Sequence, residues 1–164
     1  SVNLSAKQFY REDLAQRITD IVRAEGCEPS WLELEVTETS LMHDLDAIRK
    51  VLHQLRGEGF TVAIDDFGTG YSSLTHLKHF PIDTLKIDIS FIADLETDQG
   101  DAAITEAIIG LARGLGLKVV AEGVGTRAQL EFLDVRGCHC FQGFWVSKPL
   151  PAAEFVEFVR KRPT

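Results

Sequence analysis

Apolar and polar residues alternate in six short stretches of the chain, which is the pattern of β-strands that bury one face. The predicted strands are residues 2–5, 32–36, 61–65, 84–88, 118–122 and 138–142. Between several of them, apolar residues recur every three to four positions, the spacing of one face of an α-helix. Strands that alternate with helices favour an α/β fold in which crossover helices connect the strands of a parallel sheet.

Three predicted helices have clear apolar stripes. They cover residues 44–56, residues 98–116 and the segment after KPLP at 148–151. In the second helix, the stripe consists of Ile104, Ile108, Leu111 and Leu115. Gly114 and Gly116 can end that helix, because glycine is the usual residue just past a helix C-terminus. In the last helix, the apolar side consists of Phe155, Val156, Phe158 and Val159.

Each predicted strand has an apolar face, and its opposite face carries a polar group near the C-terminal end. These groups are Asn3, Glu35, Asp65, Lys86, Glu122 and Gln142. They recur about every 28 residues, close to the unit length of a (β/α)8 barrel, in which roughly 250 residues form eight units. A doubly wound open sheet is the competing architecture, but it does not need polar groups on the same face of every strand. We therefore predict a (β/α)8 TIM-like barrel that lacks its first strands, with about six βα units present, and the six groups at its mouth.

The charge and composition of the chain limit its partners and its location. The 164 residues carry a formal net charge of −8, whereas binding to a nucleic acid polymer requires a basic face. A phosphate ligand would therefore need a cation to offset the acidity. No basic and apolar leader precedes VNLS, and an odd number of cysteines favours a reducing compartment, so we expect a cytoplasmic domain. A membrane anchor elsewhere in a longer parent protein is compatible with this expectation.

The predicted mouth is rich in oxygen ligands. The candidate metal ligands are Asn3, Glu35, Asp65 and Asp66. Oxygen ligands suit Mg²⁺ or Mn²⁺ better than zinc, and adjacent aspartates could serve two ions about 3.5–4 Å apart. Lys86 could orient a water molecule or offset the charge of a phosphate, and Glu122 could accept a proton from that water.

The same residues also have purely structural explanations. Asp66 could cap the segment 70–78, and Glu35 could pair with Lys86 inside the barrel. The shared face and regular spacing favour the metal site, because several carboxylates that converge without a cation are unfavourable. The loop 66–73 can be either a tight surface turn or a loop that moves over a site.

Three further motifs are weaker indicators of function. Cys138-His139-Cys140 contains soft metal ligands, but no second cysteine pair completes a site, and cysteines also suit a buried strand. His76 and His79 have the spacing of one helical face, beside a candidate site far richer in oxygen. The segment 123–129, GVGTRAQ, shares only Gly-x-Gly with nucleotide-binding fingerprints, and no P-loop ending follows the loop 66–73.

Six motifs, in this order, resemble the EAL-domain family of cyclic di-GMP phosphodiesterases, whose members are (β/α)8 barrels. They are VNLSA, LELEVTET, AIDDFGTGYSSL, LKIDISFI, VVAEGV and QGFWVSKPLP. The resemblance covers essentially the whole chain, so we expect one EAL phosphodiesterase domain over residues 1–164.

The resemblance also implies a role for each matching position. It assigns metal binding to Asn3, Glu35, Asp65 and Asp66. Lys86 matches the lysine near the catalytic water, and Glu122 matches the proposed general base or second-metal ligand. Gln142 and Asp88 are assigned to substrate binding. Glu38 resembles the residue that steadies the DFGTG loop, which in this family couples dimerisation to metal binding.

The sequence departs from the family pattern in two places. The Glu-Ala-Leu triplet that names the family, whose glutamate is a metal ligand, does not occur in the chain. We expect it upstream of Asn3, together with a substrate-binding arginine, so that the domain is N-terminally truncated here. The usual AEGVE reads AEGVG, with Gly125 in place of an acid.

The implied activity is hydrolysis of cyclic di-GMP to linear pGpG in bacterial second-messenger signalling, assisted by Mg²⁺ or Mn²⁺, with two ions expected. The implied partners are cyclic di-GMP, a second copy of the chain in a homodimer, and sensory or GGDEF-type domains in the parent protein. One alternative is a catalytically inactive receptor that binds cyclic di-GMP. Another is an unrelated Mg²⁺-dependent hydrolase on a similar barrel.

Overall fold

Six parallel strands pair in the order in which they occur along the chain. The computed structural model describes residues 1–42, 44–70 and 77–161. The strands are β1 (Val2–Leu4), β2 (Glu33–Thr37), β3 (Thr61–Phe67), β4 (Thr84–Ile87), β5 (Lys118–Ala121) and β6 (Cys140–Phe141). Sequential order is typical of a barrel, whereas a doubly wound sheet reverses its strand order at a switch point. The predicted α/β barrel topology is therefore confirmed.

Helices connect the strands and cover one face of the sheet. Within the described residues they are α1 (Leu14–Ala24), α2 (Glu38–Leu41), α3 (Leu45–Gly57), α4 (Ile89–Ala93), α5 (Gln99–Leu115), α6 (Arg127–Val135) and α7 (Ala152–Lys161). Short 3₁₀ turns occur at Ala6–Tyr10 and Pro29–Trp31. None of the described helices combines the length and apolar character that a membrane span requires.

The alternation of the strands separates a core from a polar interior. The side chains that pack beneath the helices are almost fully buried, and they include Leu34, Val36, Val62, Ile64, Leu85 and Ile87. The intervening positions point to the other face of the sheet, where Thr84 donates a hydrogen bond to Glu33. The two faces predicted from the sequence are therefore present.

Local signals set the ends of the long helices. Asp44 accepts a hydrogen bond from the backbone of Ala47 at the start of α3, and Asp98 caps α5 in the same way. Gly116 ends α5 with φ 70, a left-handed conformation that favours glycine. The predicted bounds of these two helices hold to within about one residue.

Two local predictions need correction. The buried face of α5 consists of Thr105, Ile108, Ile109 and Ala112, whereas Ile104 is 41% exposed. The hydroxyl of Thr105 donates a hydrogen bond of 3.5 Å to the carbonyl of Phe91, a contact that an apolar pattern does not reveal. The other members of the predicted stripe, Ile108, Leu111 and Leu115, do pack on the core.

The last strand is also shorter than predicted, and Cys138 precedes it. Gly137 has φ 84, and the backbone N–H of Cys138 donates to Leu133 at the end of α6. Cys138 therefore belongs to the helix terminus rather than to the strand ladder. Cys138 is buried, as expected, but Cys140 is exposed.

Candidate active site

Three carboxylates from three strands converge on the ammonium group of Lys86. The distances from Lys86 Nζ are 2.9 Å to Glu35 Oε1, 2.8 Å to Asp65 Oδ1 and 2.6 Å to Glu122 Oε1. All four side chains are at most 15% exposed. An ammonium group has three protons to donate, so this cluster uses the full donor capacity of Lys86.

A β-bulge places two aspartates opposite one position of the neighbouring strand. Ile64 pairs with Leu85 and Phe67 with Ile87, so Asp65 and Asp66 together face Lys86. Asp66 has φ 53, the only positive φ of a non-glycine residue among those described. A bulge leaves the extra residue outside the ladder and redirects its side chain. The bulge therefore turns both carboxylates toward the mouth, where simple alternation would send only one.

Asp88 connects this bulge to helix α4. Its carboxylate accepts a hydrogen bond of 2.8 Å from the backbone of Ser90, which makes it the N-cap of α4. The carboxylates of Asp88 and Asp66 lie close enough to shift each other's pKa. Burial raises the pKa of Asp66 above its usual value, and the negative charges of Asp65 and Asp88 raise it further. Burial also opposes the charge of Asp88, but the hydrogen bonds from Ser90 keep the pKa of Asp88 below its usual value.

The buried charges of Lys86 and Glu122 influence each other. Although burial opposes its charge, the hydrogen bonds to Asp65, Glu122 and Glu35 raise the pKa of the Lys86 ammonium above its usual value. Burial raises the pKa of Glu122, against the effect of the nearby ammonium. Gln142 donates a hydrogen bond of 2.6 Å from its Nε2 to Glu122 Oε1. Two donors, Lys86 and Gln142, therefore hold the carboxylate of Glu122, and its raised pKa favours binding of a proton.

Asn3 occupies a different environment from the other predicted ligands. It pairs in register with Glu35 on the adjacent strand β2, but its side chain is exposed. Glu35, Asp65 and Glu122 are thus gathered around one point, and Asn3 lies beside them at the edge of the sheet.

The donor set fits a hard divalent cation. Oxygen atoms of Asp65, Asp66 and Glu122 lie within 4.8 Å of one another. Three carboxylates contact a single ammonium group and Asp66 adjoins two of them, so the negative charges outnumber the positive one. Oxygen ligands with surplus negative charge are the chemistry that Mg²⁺ and Mn²⁺ prefer. The Glu35–Lys86 ion pair that was considered as an alternative is also present, as one edge of this larger cluster.

The loop that follows the bulge is fastened by Glu38. Glu38 is 2% exposed, and its Oε2 accepts hydrogen bonds from the backbone of Gly68 at 2.8 Å and Gly70 at 3.2 Å. A Cβ atom at Gly70 would lie 2.8 Å from the carboxylate of Glu38, so the close approach requires glycine there. His76, the end of the predicted loop 66–73 and most of the segment 70–78 that Asp66 was considered to cap fall on residues 71–76, outside the described residues.

An apolar cleft of about 590 Å³, not predicted from the sequence, opens beside Glu122 and Gln142. Its walls include Ile89, Phe144 and Phe155. The motif QGFWVSKPLP was the sequence signal for this region, but only the fold places Ile89 on the opposite wall.

Sequence reasoning also missed Gln129, which is buried between α6 and α4. Its signal was the pattern Thr126-x-x-Gln129, a capping box at the start of a helix. The other motifs considered in the sequence, Cys138-His139-Cys140 and His79, do not contribute to the carboxylate group that could hold a metal among the described residues.

Comparison with known proteins agrees with this geometry. A family model described as EAL domain matches residues 1–149. The bifunctional diguanylate cyclase/cyclic di-GMP phosphodiesterase MucR of Pseudomonas aeruginosa is 49% identical over 159 residues, which are 97% of this chain and 23% of that protein. The chain therefore spans about a quarter of the length of this curated relative.

Two solved structures show similar folds with ligands. A PaMucR phosphodiesterase in a c-di-GMP complex has a TM-score of 0.89 and 50% identity, over 93% of this chain and 62% of that one. The Klebsiella pneumoniae BlrP1 manganese/cy-diGMP complex has a TM-score of 0.83 and 38% identity, over 90% of this chain and 38% of that one.

Proposed function

Because the chain belongs to the EAL domain family, we propose that it forms the catalytic part of a phosphodiesterase that hydrolyses cyclic di-GMP to linear pGpG. The observation that carries this proposal is the cluster around Lys86, in which Glu35, Asp65 and Glu122 meet at the C-terminal ends of three strands. Active sites of barrel enzymes lie at this end of the strands. The relatives that resemble the chain include one structure with both manganese and cyclic di-GMP.

Divalent cations are part of the proposal, and we assign them to the carboxylate group. Asp65 and Asp66, together with Glu35 and Asn3, would hold Mg²⁺ or Mn²⁺ beside Glu122, and two ions would fit adjacent aspartates on a bulge. Bound there, the ions would supply Lewis-acid stabilisation of a phosphoryl oxygen and a more acidic water.

The protein's own side chains have the remaining roles in the proposed reaction. Glu122 accepts the proton of the attacking water, a task that suits a carboxylate whose pKa is raised by burial. Lys86 places positive charge beside the reaction centre and offsets negative charge that develops on the phosphate. Gln142 holds Glu122 in position through its 2.6 Å hydrogen bond and, with Asp88, lies where the substrate would bind.

The cleft beside Glu122 supports a nucleotide substrate. Apolar walls with a few polar groups at one end suit a flat purine base whose phosphate reaches the carboxylates. We further propose a cytoplasmic domain over residues 1–164 that acts as a homodimer, with the loop at Gly68 and Gly70 held by Glu38. Other signalling domains would then regulate it in the longer protein, as the length of MucR suggests.

A direct assay tests this proposal. The complete protein is incubated with cyclic di-GMP and either Mn²⁺ or Mg²⁺, and the nucleotides are separated by chromatography. We expect linear pGpG to accumulate, and its formation to stop when a chelator is added. Binding of cyclic di-GMP without product would instead identify the protein as a receptor, and neither binding nor product would refute the proposal.

A further inference from the structure

A buried glutamine joins the segment that follows Glu122 to a different part of the barrel. Gln129, on α6, is 5% exposed. Its Oε1 accepts hydrogen bonds from the backbone of Gly125 at 2.8 Å and Thr126 at 3.0 Å. Its Nε2 donates to the carbonyls of Ile92 at 2.9 Å and Ala93 at 3.3 Å. A carboxamide has two donor hydrogens and two acceptor lone pairs, so all four are used.

Only half of these bonds are explained by the helix itself. The bond from the Thr126 N–H belongs to the capping box of α6, and the bond from the Gly125 N–H satisfies the backbone group just before it. A glutamate would serve equally well in such a box. The bonds to Ile92 and Ala93 reach the end of α4, and only the amide group of glutamine can donate them. The residue type is therefore required by the contact with α4.

Helix α4 contacts both sides of the carboxylate cluster. Its N-cap, Asp88, lies close enough to Asp66 for the two carboxylates to interact, and the side chain of Phe91 lies against Gly68. Ile89 packs so closely on Gly123, the residue after Glu122, that a Cβ atom there would collide with it. Gly123 has φ 74, which an L-residue rarely adopts. The segment after Glu122 is thus attached to α4 at two points, by Ile89 on Gly123 and by Gln129.

We propose that Gln129 is a positioning residue that fixes Glu122 relative to the bulge at Asp66, by fastening the turn Gly123–Thr126 to helix α4. This inference rests on the proposed phosphodiesterase function. Gln129 touches neither the cleft nor the carboxylates, so it acts only through the backbone. Displacement of a catalytic group by about 1 Å can lower a rate by about 100-fold while substrate binding persists.

The test uses an isosteric substitution, Gln129→Glu, in the complete protein. It keeps the acceptor for Gly125 and Thr126 but removes both donors to α4. The matched control is Thr19→Val, which removes one buried hydrogen bond, from Thr19 to Ala15, in α1 far along the chain. Gln129→Met, which removes all four bonds, is a second variant. The measurements are kcat and KM for cyclic di-GMP, and hydrogen exchange in peptides covering residues 88–97 and 122–130, at a temperature at which each variant is folded.

We expect Gln129→Glu to lower kcat by about 10- to 100-fold, to change KM less than about threefold, and to speed exchange in both peptides. Gln129→Met should have at least this effect, and Thr19→Val should have none on kcat or on these peptides. An unchanged kcat in Gln129→Glu, or a loss that Thr19→Val reproduces, would overturn the proposal. If the wild type does not hydrolyse cyclic di-GMP, the proposed function fails instead. Exchange then decides alone, and identical exchange in wild type and Gln129→Glu refutes the positioning role.

Discussion

The two ends of the sheet use charged residues in opposite ways. At the N-terminal ends of the strands, Asp83 accepts hydrogen bonds from Arg56 at 2.8 Å and from the backbone of Val62 at 2.9 Å, and Glu33 accepts one from Thr84. Each acid there has its own donors. At the C-terminal ends, Glu35, Asp65 and Glu122 share Lys86, and Asp66 adjoins them.

The difference separates residues that stabilise the barrel from the residues to which we assign its chemistry. A charged side chain that is paired at an exposed edge contributes little to the free energy of unfolding, and it needs no additional ligand. A buried group of acids with too few cations is unfavourable by itself and is retained where it binds something positive. The comparison therefore predicts that equal substitutions at the two ends have unequal effects.

The largest contrast is expected between two glutamates. Glu122→Gln removes the proposed proton acceptor but keeps the shape of the side chain, so kcat should fall by about 10²–10⁴-fold. Glu33→Gln is the matched change at the other end of the sheet, and it should leave kcat within about threefold. Steady-state hydrolysis of cyclic di-GMP at saturating Mn²⁺ measures both. Near-wild-type turnover by Glu122→Gln would remove its assigned role.

A second contrast concerns two basic side chains, Lys86 and Arg56. Lys86→Met leaves three buried carboxylates without their partner, which should reduce the free energy of unfolding by about 3–5 kcal/mol in the presence of a chelator. Arg56→Met breaks a partly exposed pair with Asp83 and should cost less than about 1 kcal/mol. Denaturant unfolding with and without Mn²⁺ measures this, and Mn²⁺ should recover part of the loss in Lys86→Met. Equal stabilities of the two variants in chelator would contradict the comparison.

A third contrast uses two glycines that both have positive φ. At Gly68, φ is 103 and an added Cβ would lie 2.7 Å from Phe91, whereas at Gly26 φ is 70 and nothing lies within 4 Å. Alanine at a positive φ costs about 1–2 kcal/mol in either place. Only Gly68→Ala should also displace Phe91 and the bulge, so we expect it to lower kcat about tenfold, while Gly26→Ala affects stability alone. A similar kcat for both variants would show that the loop tolerates the displacement.

The sequence predicts the architecture and the direction of the polar side chains well, because alternation in a strand is a local rule. Leu85 and Ile87 had to lie opposite Lys86 once the strand was recognised. In α5 the predicted stripe is correct at Ile108, Leu111 and Leu115, but Ile104 is exposed and the polar Thr105 is buried instead, because packing rather than hydrophobicity decides between neighbouring positions.

The parts of the site that the sequence did not reveal depend on long-range contacts. The extra residue of the bulge at Asp66 leaves no trace in the alternation of apolar residues. The bonds of Gln129 to Ile92 and Ala93 span 37 and 36 residues of the chain, and no local pattern indicates their partner. The proximity of Asp88 to Asp66, 22 residues earlier in the chain, likewise appears only in three dimensions.

The smallest contrast lies between two cysteines at the start of β6. Burial raises the pKa of Cys138 to about 11, and its side chain is 1% exposed, whereas Cys140 is exposed. Since the thiolate is the reacting form, iodoacetamide at pH 8 should label Cys140 and leave Cys138 unmodified until the protein is unfolded in denaturant. Mass spectrometry of tryptic peptides distinguishes labelled from unlabelled protein. Cys140 is the first residue of β6, at the N-terminal end of that strand. Labelling it should therefore leave kcat within about twofold. Equal labelling of both thiols in the folded protein would show that this end opens far more easily than its packing implies.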